Sequence, residues 1–281
     1  MQNKIAIILV NYNGIQDTLD CVKSIMDSTY DNFLVYVVNN GSDDDCSMLT
    51  KYKKIELIEL KENVGFGVAN NIAAEKAINE GADIIMCLNN DTIIFRNTLE
   101  KMADKVKDGK IITCPIYYYD YPDKLWYGGG KISRYKGSFK HKNYINDCDV
   151  TFVSGCCFMI TKKDINKIGL FEKEYFMYYE DADFSLKALM NGISICYITN
   201  TKILHKVGMS INNEIGAKDY YLTRNRLYLL KKYKSFFFPT CWIYFMLTRV
   251  IKIVIGVIKR ENTSPIFKGI VDFKNNKMGK Y

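Results

Sequence analysis

Four apolar runs, at residues 5–10, 33–38, 55–60 and 82–88, each stop at a loop rich in Asn, Asp and Gly. That recurrence constrains the fold more than any other feature. The runs at 5–10 and 33–38 are unbroken and that at 82–88 carries only Asp83, as in strands buried on both faces of a parallel sheet, while Glu56 and Glu59 interrupt the run at 55–60. Between them, residues 15–28 carry Leu19, Val22, Ile25 and Met26 on one helical face, and a second helix runs through Asn70, Asn71 and Ala77. Strands alternating with helices imply a parallel sheet with right-handed crossovers, and ligands bind such sheets beyond the carboxyl ends of the strands. The loops at those ends are Asn11-Tyr12-Asn13-Gly14, Asn39-Asn40-Gly41-Ser42-Asp43-Asp44, Asn63-Val64-Gly65-Phe66-Gly67 and Asn89-Asn90-Asp91-Thr92. No Gly-x-Gly-x-x-Gly follows the first run, so the dinucleotide fingerprint is absent; Gly65-Phe66-Gly67 is either a tight turn or a phosphate contact. Asp91 is either a strand-end cap or a hard oxygen ligand for Mg²⁺ or Mn²⁺ against a diphosphate.

In the second half, Glu180-Asp181-Ala182-Asp183 puts three carboxylates at the start of a helix marked by Phe184, Leu186, Leu189 and Met190. The helix dipole favours negative charge there, so the group is either a charged surface cap or a catalytic carboxylate at the floor of a site. Residues 115–137 are rich in Tyr and Gly, with Trp126 either a sugar contact or a buried aromatic. Residues 220–231 read as an amphipathic helix. An apolar segment beginning at Phe236 is interrupted by Arg249 and Lys252, too early for a membrane-spanning helix of about 20 apolar residues. It reads as an interfacial helix with Arg249, Lys252, Lys259 and Arg260 facing anionic lipid, or as a buried helix pair against the catalytic domain or a dimer partner.

Charge separates the two parts. Eleven Lys and Arg residues fall at or after Lys231 against only Glu261 and Asp272, so the net charge of +8 belongs to the tail. A nucleic-acid binder with a basic surface throughout is therefore excluded. The nine cysteines show no metal-finger spacing and several lie in apolar runs, as buried thiols do, which fits a reducing cytoplasm. The first apolar run reads as a strand rather than a secretion signal.

The motifs taken together resemble a family. Val10-Asn11-Tyr12-Asn13-Gly14, the loops at 37–44, 63–70 and 88–92, residues 175–183 and His205-Lys206-Val207-Gly208-Met209-Ser210 are similar, in order and spacing, to the motifs of family 2 inverting glycosyltransferases. The nearest subgroup is the rhamnosyltransferase-like enzymes of bacterial polysaccharide synthesis. The resemblance implies an α/β GT-A fold: a mostly parallel sheet flanked by helices over residues 1–230, with a nucleotide-binding half at 1–115 and an acceptor-binding half at 116–230. The resemblance covers about residues 4–230; residues 231–281 remain a basic, apolar helical tail that either associates with a membrane or packs on the protein. The resemblance implies nucleotide contacts from Val10, Asn11, Asn13, Asn39, Ser42, Asp44, Asn63, Gly65, Asn70 and Asn90. The family's base-reading Asp is here Asn39, whose amide still carries a donor and an acceptor. The metal motif keeps Asp91 while its first Asp is Asn89, and His205 joins the metal (Mn²⁺ or Mg²⁺) or touches the diphosphate, as does Arg224. Asp181 corresponds to the general base, with Glu180, Asp183 and Trp126 toward the acceptor. Gly155 lets backbone approach the site closely.

The function so implied is transfer of a sugar from a UDP- or dTDP-sugar to a glycan acceptor, lipid-linked, on the inner face of a bacterial membrane, by a monomer or homodimer. Two rivals stand beside it. A sugar-phosphate nucleotidyltransferase would want a Gly-rich basic loop after the first strand, which Asn11-Tyr12-Asn13-Gly14 does not supply. A catalytically inactive binding subunit would explain Asn39 and Asn89 in place of aspartates.

Overall fold

The four apolar runs become parallel strands in a computed structural model, which describes residues 2–207 and 216–281. Gly208, Met209 and Ser210 of the His205 motif lie outside the described residues. The chain begins β1 (Ile5–Asn11), α1 (Ile15–Met26), β2 (Phe33–Asn40), β3 (Ile55–Leu60), α2 (Phe66–Asn79) and β4 (Ile84–Leu88). Ile5 of β1 is in register with Phe33 of β2 and with Ile84 of β4, and Val35 of β2 with Ile55 of β3. Ile5, Ile7, Ile8, Val35, Val37 and Ile85 are fully buried, which is why these strands are apolar at successive positions. The parallel register brings all four polar loops to one edge.

The chain continues through β5 (Thr92–Ile94), α3 (Thr98–Ala103), β6 (Lys110–Thr113), β7 (Ile116–Tyr118), β8 (Leu125–Tyr127), β9 (Gly130–Ser133), β10 (Ser138–His141), β11 (Cys148–Val150), β12 (Cys157–Thr161), α4 (Lys162–Ile168), α5 (Glu180–Met190), β13 (Ser194–Tyr197) and β14 (Ile203–His205). The main sheet has the order β11-β13-β6-β12-β4-β1-β2-β3. It is parallel from β3 to β4 and mixed beyond, because β12 runs antiparallel to both β4 and β6. A second sheet, β5-β14-β7-β8, carries much of the Tyr-rich segment. Tyr127 there is fully buried while Tyr121 is exposed.

Three helices close the chain: α6 (Ala217–Lys232), α7 (Thr240–Ile258) and α8 (Ser264–Lys274). Helix α8 packs on α6, where the Tyr220 hydroxyl donates to Asp272 at 2.7 Å and Gly269 lies against the Tyr220 carbonyl. Helix α7 is one unbroken 19-residue helix, long and apolar enough to cross a membrane by length and composition alone. The expected lipid-facing role of Arg249 and Lys252 is not what the structure shows. Lys252 pairs with Asp219 of α6, and Arg249 lies over the Phe245 ring and donates to Thr223 at 3.4 Å.

The two halves lock together at Gly65. It enters α2 at φ +89°, the Phe66 amide donates to the Phe176 carbonyl at 3.1 Å, and a Cβ on Gly65 would stand 2.5 Å from that same oxygen. Gly81, at φ +88°, has nothing within 4 Å of an added Cβ. Gly81→Ala should therefore lose about 1–2 kcal/mol from left-handed backbone alone, and Gly65→Ala clearly more because its neighbour is rigid backbone. Urea midpoints of the two variants measure the difference; equal losses would mean that the contact with Phe176 is loose.

Candidate active site

One wall of the site forms where β4 ends. Register pairs His205 of β14 with Thr92 of β5, and the Lys206 amide donates to the Asp91 carbonyl at 2.9 Å. The Lys206 ammonium reaches α1, donating to Asp17 at 2.7 Å and Asp20 at 2.8 Å, so the segment is fixed on both sides. As a result His205 Nε2 lies 3.0 Å from Asp91 Oδ1, with both side chains buried. That oxygen nonetheless has no hydrogen-bond partner among the described residues, because the short approach lacks donor alignment; His205 Nδ1 has none either. The unpartnered Asp91 Oδ1 and the His205 Nε2 beside it are an oxygen and a nitrogen of the kind a divalent cation takes. No group of three His, Cys, Asp or Glu that could hold a metal ion is present among the described residues. The Trp126 ring stands edge-on to His205 at 4.7 Å and to His141 at 5.0 Å, and His141 Nδ1 lies 2.9 Å from the Trp126 carbonyl. Trp126 thus borders the Asp91–His205 pair and holds both of the chain's histidines.

The other wall is the first turn of α5. The chain enters it through Tyr178 and Tyr179 at φ +65° and +75°, two successive non-glycine residues in the left-handed region, which cost on the order of 1–2 kcal/mol each. Asn225 of α6, fully buried, holds that turn: its Nδ2 donates to the carbonyls of Met177 at 2.8 Å and Tyr178 at 2.9 Å. Asp181 is half-buried and accepts from the amides of Gly155 at 3.3 Å and Ala182 at 2.7 Å. A Cβ on Gly155 would lie 3.5 Å from the Phe66 ring and 3.6 Å from Asp181 Cβ. Burial raises Asp181 above the usual carboxylate range, and burial with the charge of Asp181 pushes Glu180 up to about 8. Glu180 Oε2 has no hydrogen-bond partner among the described residues. The two amide donors favour the ionised form of Asp181, whereas burial and the neighbouring charge of Asp181 favour the protonated form of Glu180.

At the same sheet edge a cleft is lined by Val10, Tyr12, Asn40, Asn63, Gly65, Phe66, Asn89, Asn90, Phe176 and Met177; Asp91, His205 and Asp181 are not among these residues. Four expected nucleotide residues, Val10, Asn63, Gly65 and Asn90, border it. Others serve as its frame. Asn11 Nδ2 donates to Asn39 at 3.2 Å and Asp44 at 2.9 Å, and Asp44 also accepts from the Gly14 amide at 2.8 Å. Ser42 and Asn13 bond each other. Asn70 is buried with its amide on the Phe66 carbonyl of its own helix, so it braces α2. Asn39 donates to Glu59 at 2.8 Å, a partner that sequence reasoning missed.

Two expected contacts are corrected by burial. Asp183 is fully buried, paired with Lys232 at 2.9 Å and hydrogen-bonded by the Tyr175 and Tyr233 hydroxyls, so it anchors α5 rather than facing an acceptor. Arg224 is also fully buried. Its guanidinium donates to Asn225, Tyr220 and the Gly279 carbonyl, and it orients Asn225 rather than meeting a diphosphate. Tyr12, Asn40, Phe176, Met177 and Asn225 are the residues not singled out from the sequence. Asn40 and Asn225 stood beside chosen neighbours, and period-2 alternation could have separated Asn40 from Asn39.

The sequence matches the family described as Glycosyl transferase family 2 over residues 6–169. It is similar to a dTDP-rhamnosyl transferase, RfbF, of Shigella flexneri, with 24% identity over 245 residues, covering 83% of this chain and 81% of that one. Its fold is similar to a crystal structure of GalNAc-T7 with UDP, GalNAc and Mn²⁺, at TM-score 0.66 and 13% identity over 81% of this chain and 48% of that one. It is also similar to S. aureus TarS 1-349 in complex with UDP-GlcNAc, at TM-score 0.58 and 17% identity over 81% and 66%. These likenesses identify the architecture as GT-A.

The Glu180–Asp181 pair gives a measurable pH signature. Because the folded pKa of Glu180 is raised from 4.5 to about 8, the folded state binds more protons than the unfolded one across that interval. Stability contributed by this site therefore falls as pH rises from about 4.5 to 8. Glu180→Gln should remove that slope, so the variant gains on the native protein between pH 5 and pH 8 in thermal melts. Parallel curves for the two would show that Glu180 is ionised in the fold.

Proposed function

The chain belongs to glycosyl transferase family 2, and from that premise we propose metal-assisted, inverting transfer of a sugar from a UDP- or dTDP-sugar to a lipid-linked glycan. The acceptor and the inner membrane face are part of the same reading. The observation that carries it is the meeting of two groups at one sheet edge: His205 beside Asp91 in the loop after β4, and Asp181 held by the Gly155 amide just before β12, the strand that pairs with β4. The donor occupies the half formed by residues 1–115 and the acceptor the half formed by 116–230.

Asp181 accepts the proton of the acceptor hydroxyl as that oxygen bonds to the anomeric carbon and the bond to the diphosphate breaks. The two amide donors keep it ionised and oriented, and neutral Glu180 leaves a single anion at the reacting face. Asp91 and His205 would hold Mn²⁺ or Mg²⁺, which supplies charge to offset that building on the departing diphosphate. Val10, Tyr12, Asn63 and Gly65 bound the nucleotide, while Asn11, Asn13, Ser42 and Asp44 fix the loops that present them. For the base, the Asn39 amide is occupied by Asn11 and Glu59, and exposed Glu59 brings beside it the carboxylate that Asn39 lacks. A carboxylate with one oxygen already engaged takes a single N–H, as the imide of uracil or thymine offers.

Asp181→Asn should lower transfer by about 10²–10⁴-fold with donor affinity within roughly twofold of native, by turnover assay and calorimetry. Asp91→Ala should instead remove the gain in donor affinity that Mn²⁺ provides. Native transfer by Asp181→Asn would refute the base assignment, and an unchanged Mn²⁺ response in Asp91→Ala would refute the metal assignment.

A further inference from the structure

Helix α7 divides along its length into two unlike faces. Cys241, Phe245, Arg249, Lys252 and Gly256 recur at helical spacing and meet the protein: Cys241, Phe245 and Gly256 are buried, and both charges are engaged by α6 and Phe245. The opposite face carries Ile243, Leu247, Val250, Ile251, Val254 and Ile258, every one of them exposed by more than half. Because Arg249 turns inward and the half-exposed Lys252 is held by Asp219, the outward stripe from Ile243 to Ile258 is aliphatic over about 23 Å at 1.5 Å per residue. Lys259 and Arg260 stand exposed where it ends. An aliphatic strip of that size without a partner marks an interaction surface.

We infer that this face seats the protein in one leaflet of an anionic membrane with the helix axis parallel to the surface, so that Asp181 works on acceptors presented at that surface. The inference rests on the glycosyl-transfer reading for its last clause only. The occupant follows from charge. The segment from Lys231 onward holds eleven Lys and Arg against two acidic residues, which suits anionic headgroups and repels a second copy of itself. The orientation follows from connectivity. The helices before and after α7 pack on each other through Tyr220 and Asp272, and a spanning α7 would leave α8 on the far side of the bilayer from α6. A helix lying in the interface leaves that packing intact.

The same helix is joined to the catalytic turn. The guanidiniums of Arg249 in α7 and Arg226 in α6 both lie over the Phe245 ring, at 5.1 and 4.6 Å, and both charges act on Tyr179, the residue before Glu180. Arg226 also donates to the Lys136 carbonyl at 2.7 Å. The membrane-facing helix therefore sets the height of the Tyr179–Asp181 turn above the surface, which is what acceptors carried on lipid require.

The test is flotation of the full chain with vesicles of phosphatidylcholine alone and of phosphatidylcholine with 30% phosphatidylglycerol, for native protein, Val250→Glu/Val254→Glu and Lys259→Glu/Arg260→Glu. Native protein should float with the anionic vesicles and be released by alkaline carbonate. The Val250/Val254 variant should lose binding by about tenfold or more to either vesicle, and the Lys259/Arg260 variant should lose the anionic preference by about tenfold or more. Both pairs are exposed, so circular dichroism and thermal stabilisation by UDP should stay native. With water-soluble acceptor all three proteins should turn over alike, and only native protein should gain when acceptor is placed on vesicles. Failure of native protein to float, or retained flotation in the Val250/Val254 variant, overturns the proposal. So does a native dimer that the same variant dissolves without any vesicle binding, since the face would then join two copies. Absence of sugar transfer with every acceptor would instead count against the glycosyltransferase reading and leave the flotation result standing.

Discussion

The site depends on the antiparallel pairing of β12 against β4. Cys157 faces Leu88 in register and the Asn89 amide donates to the Cys156 carbonyl at 2.9 Å. Only with that direction does the start of β12 lie at the edge where β4 ends. A parallel strand would have placed residues 154–156 at the far end of the sheet. The pairing sets Gly155 beside the Asn89–Asp91 loop, and Gly155 in turn offers its amide to Asp181. Both carboxylates assigned to opposite sides of the reaction are thus positioned from one strand pair in the middle of the sheet, where backbone is least free to move.

The second requirement is strain at Tyr178–Tyr179, and it draws the C-terminal helices into the site. Left-handed backbone at two successive tyrosines persists only if something stabilises it, and Asn225 does so through two carbonyls. Arg224 fixes Asn225, and Gly279 near the chain's end fixes Arg224. Across the boundary expected at residue 230, Lys232 and Tyr233 hold Asp183 and with it α5. The helical extension is therefore a structural support of the Tyr178–Asp181 turn as well as a candidate docking element.

Much of this was legible in sequence because it follows from periodicity. Continuous apolar runs identified the parallel strands, and the polar loops after them identified the ligand edge. Burial of individual polar side chains was not legible. Asn39, Asn63 and Asn70 are the same residue type in the same motifs, yet Asn63 borders the cleft, Asn39 is engaged by Glu59, and Asn70 closes on its own helix. Asp183 and Arg224 read as functional charges because their partners, Lys232 and Gly279, lie 49 and 55 residues away. The direction of Arg249 and Lys252 was recoverable. Together with Phe245 and Gly256 they recur at intervals of four, three and four, the spacing of a buried helical stripe.

Everything turns on Asp181 acting as a base on the sugar face opposite the leaving diphosphate, with no covalent sugar–enzyme stage. The anomeric configuration of the product, read by proton NMR from the one-bond carbon–hydrogen coupling of the newly formed linkage, tests this most directly. A linkage of configuration opposite to that of the donor sugar is the predicted result. A linkage that retains the donor's configuration would contradict it, because retention requires a second displacement that a single base opposite the leaving group does not provide.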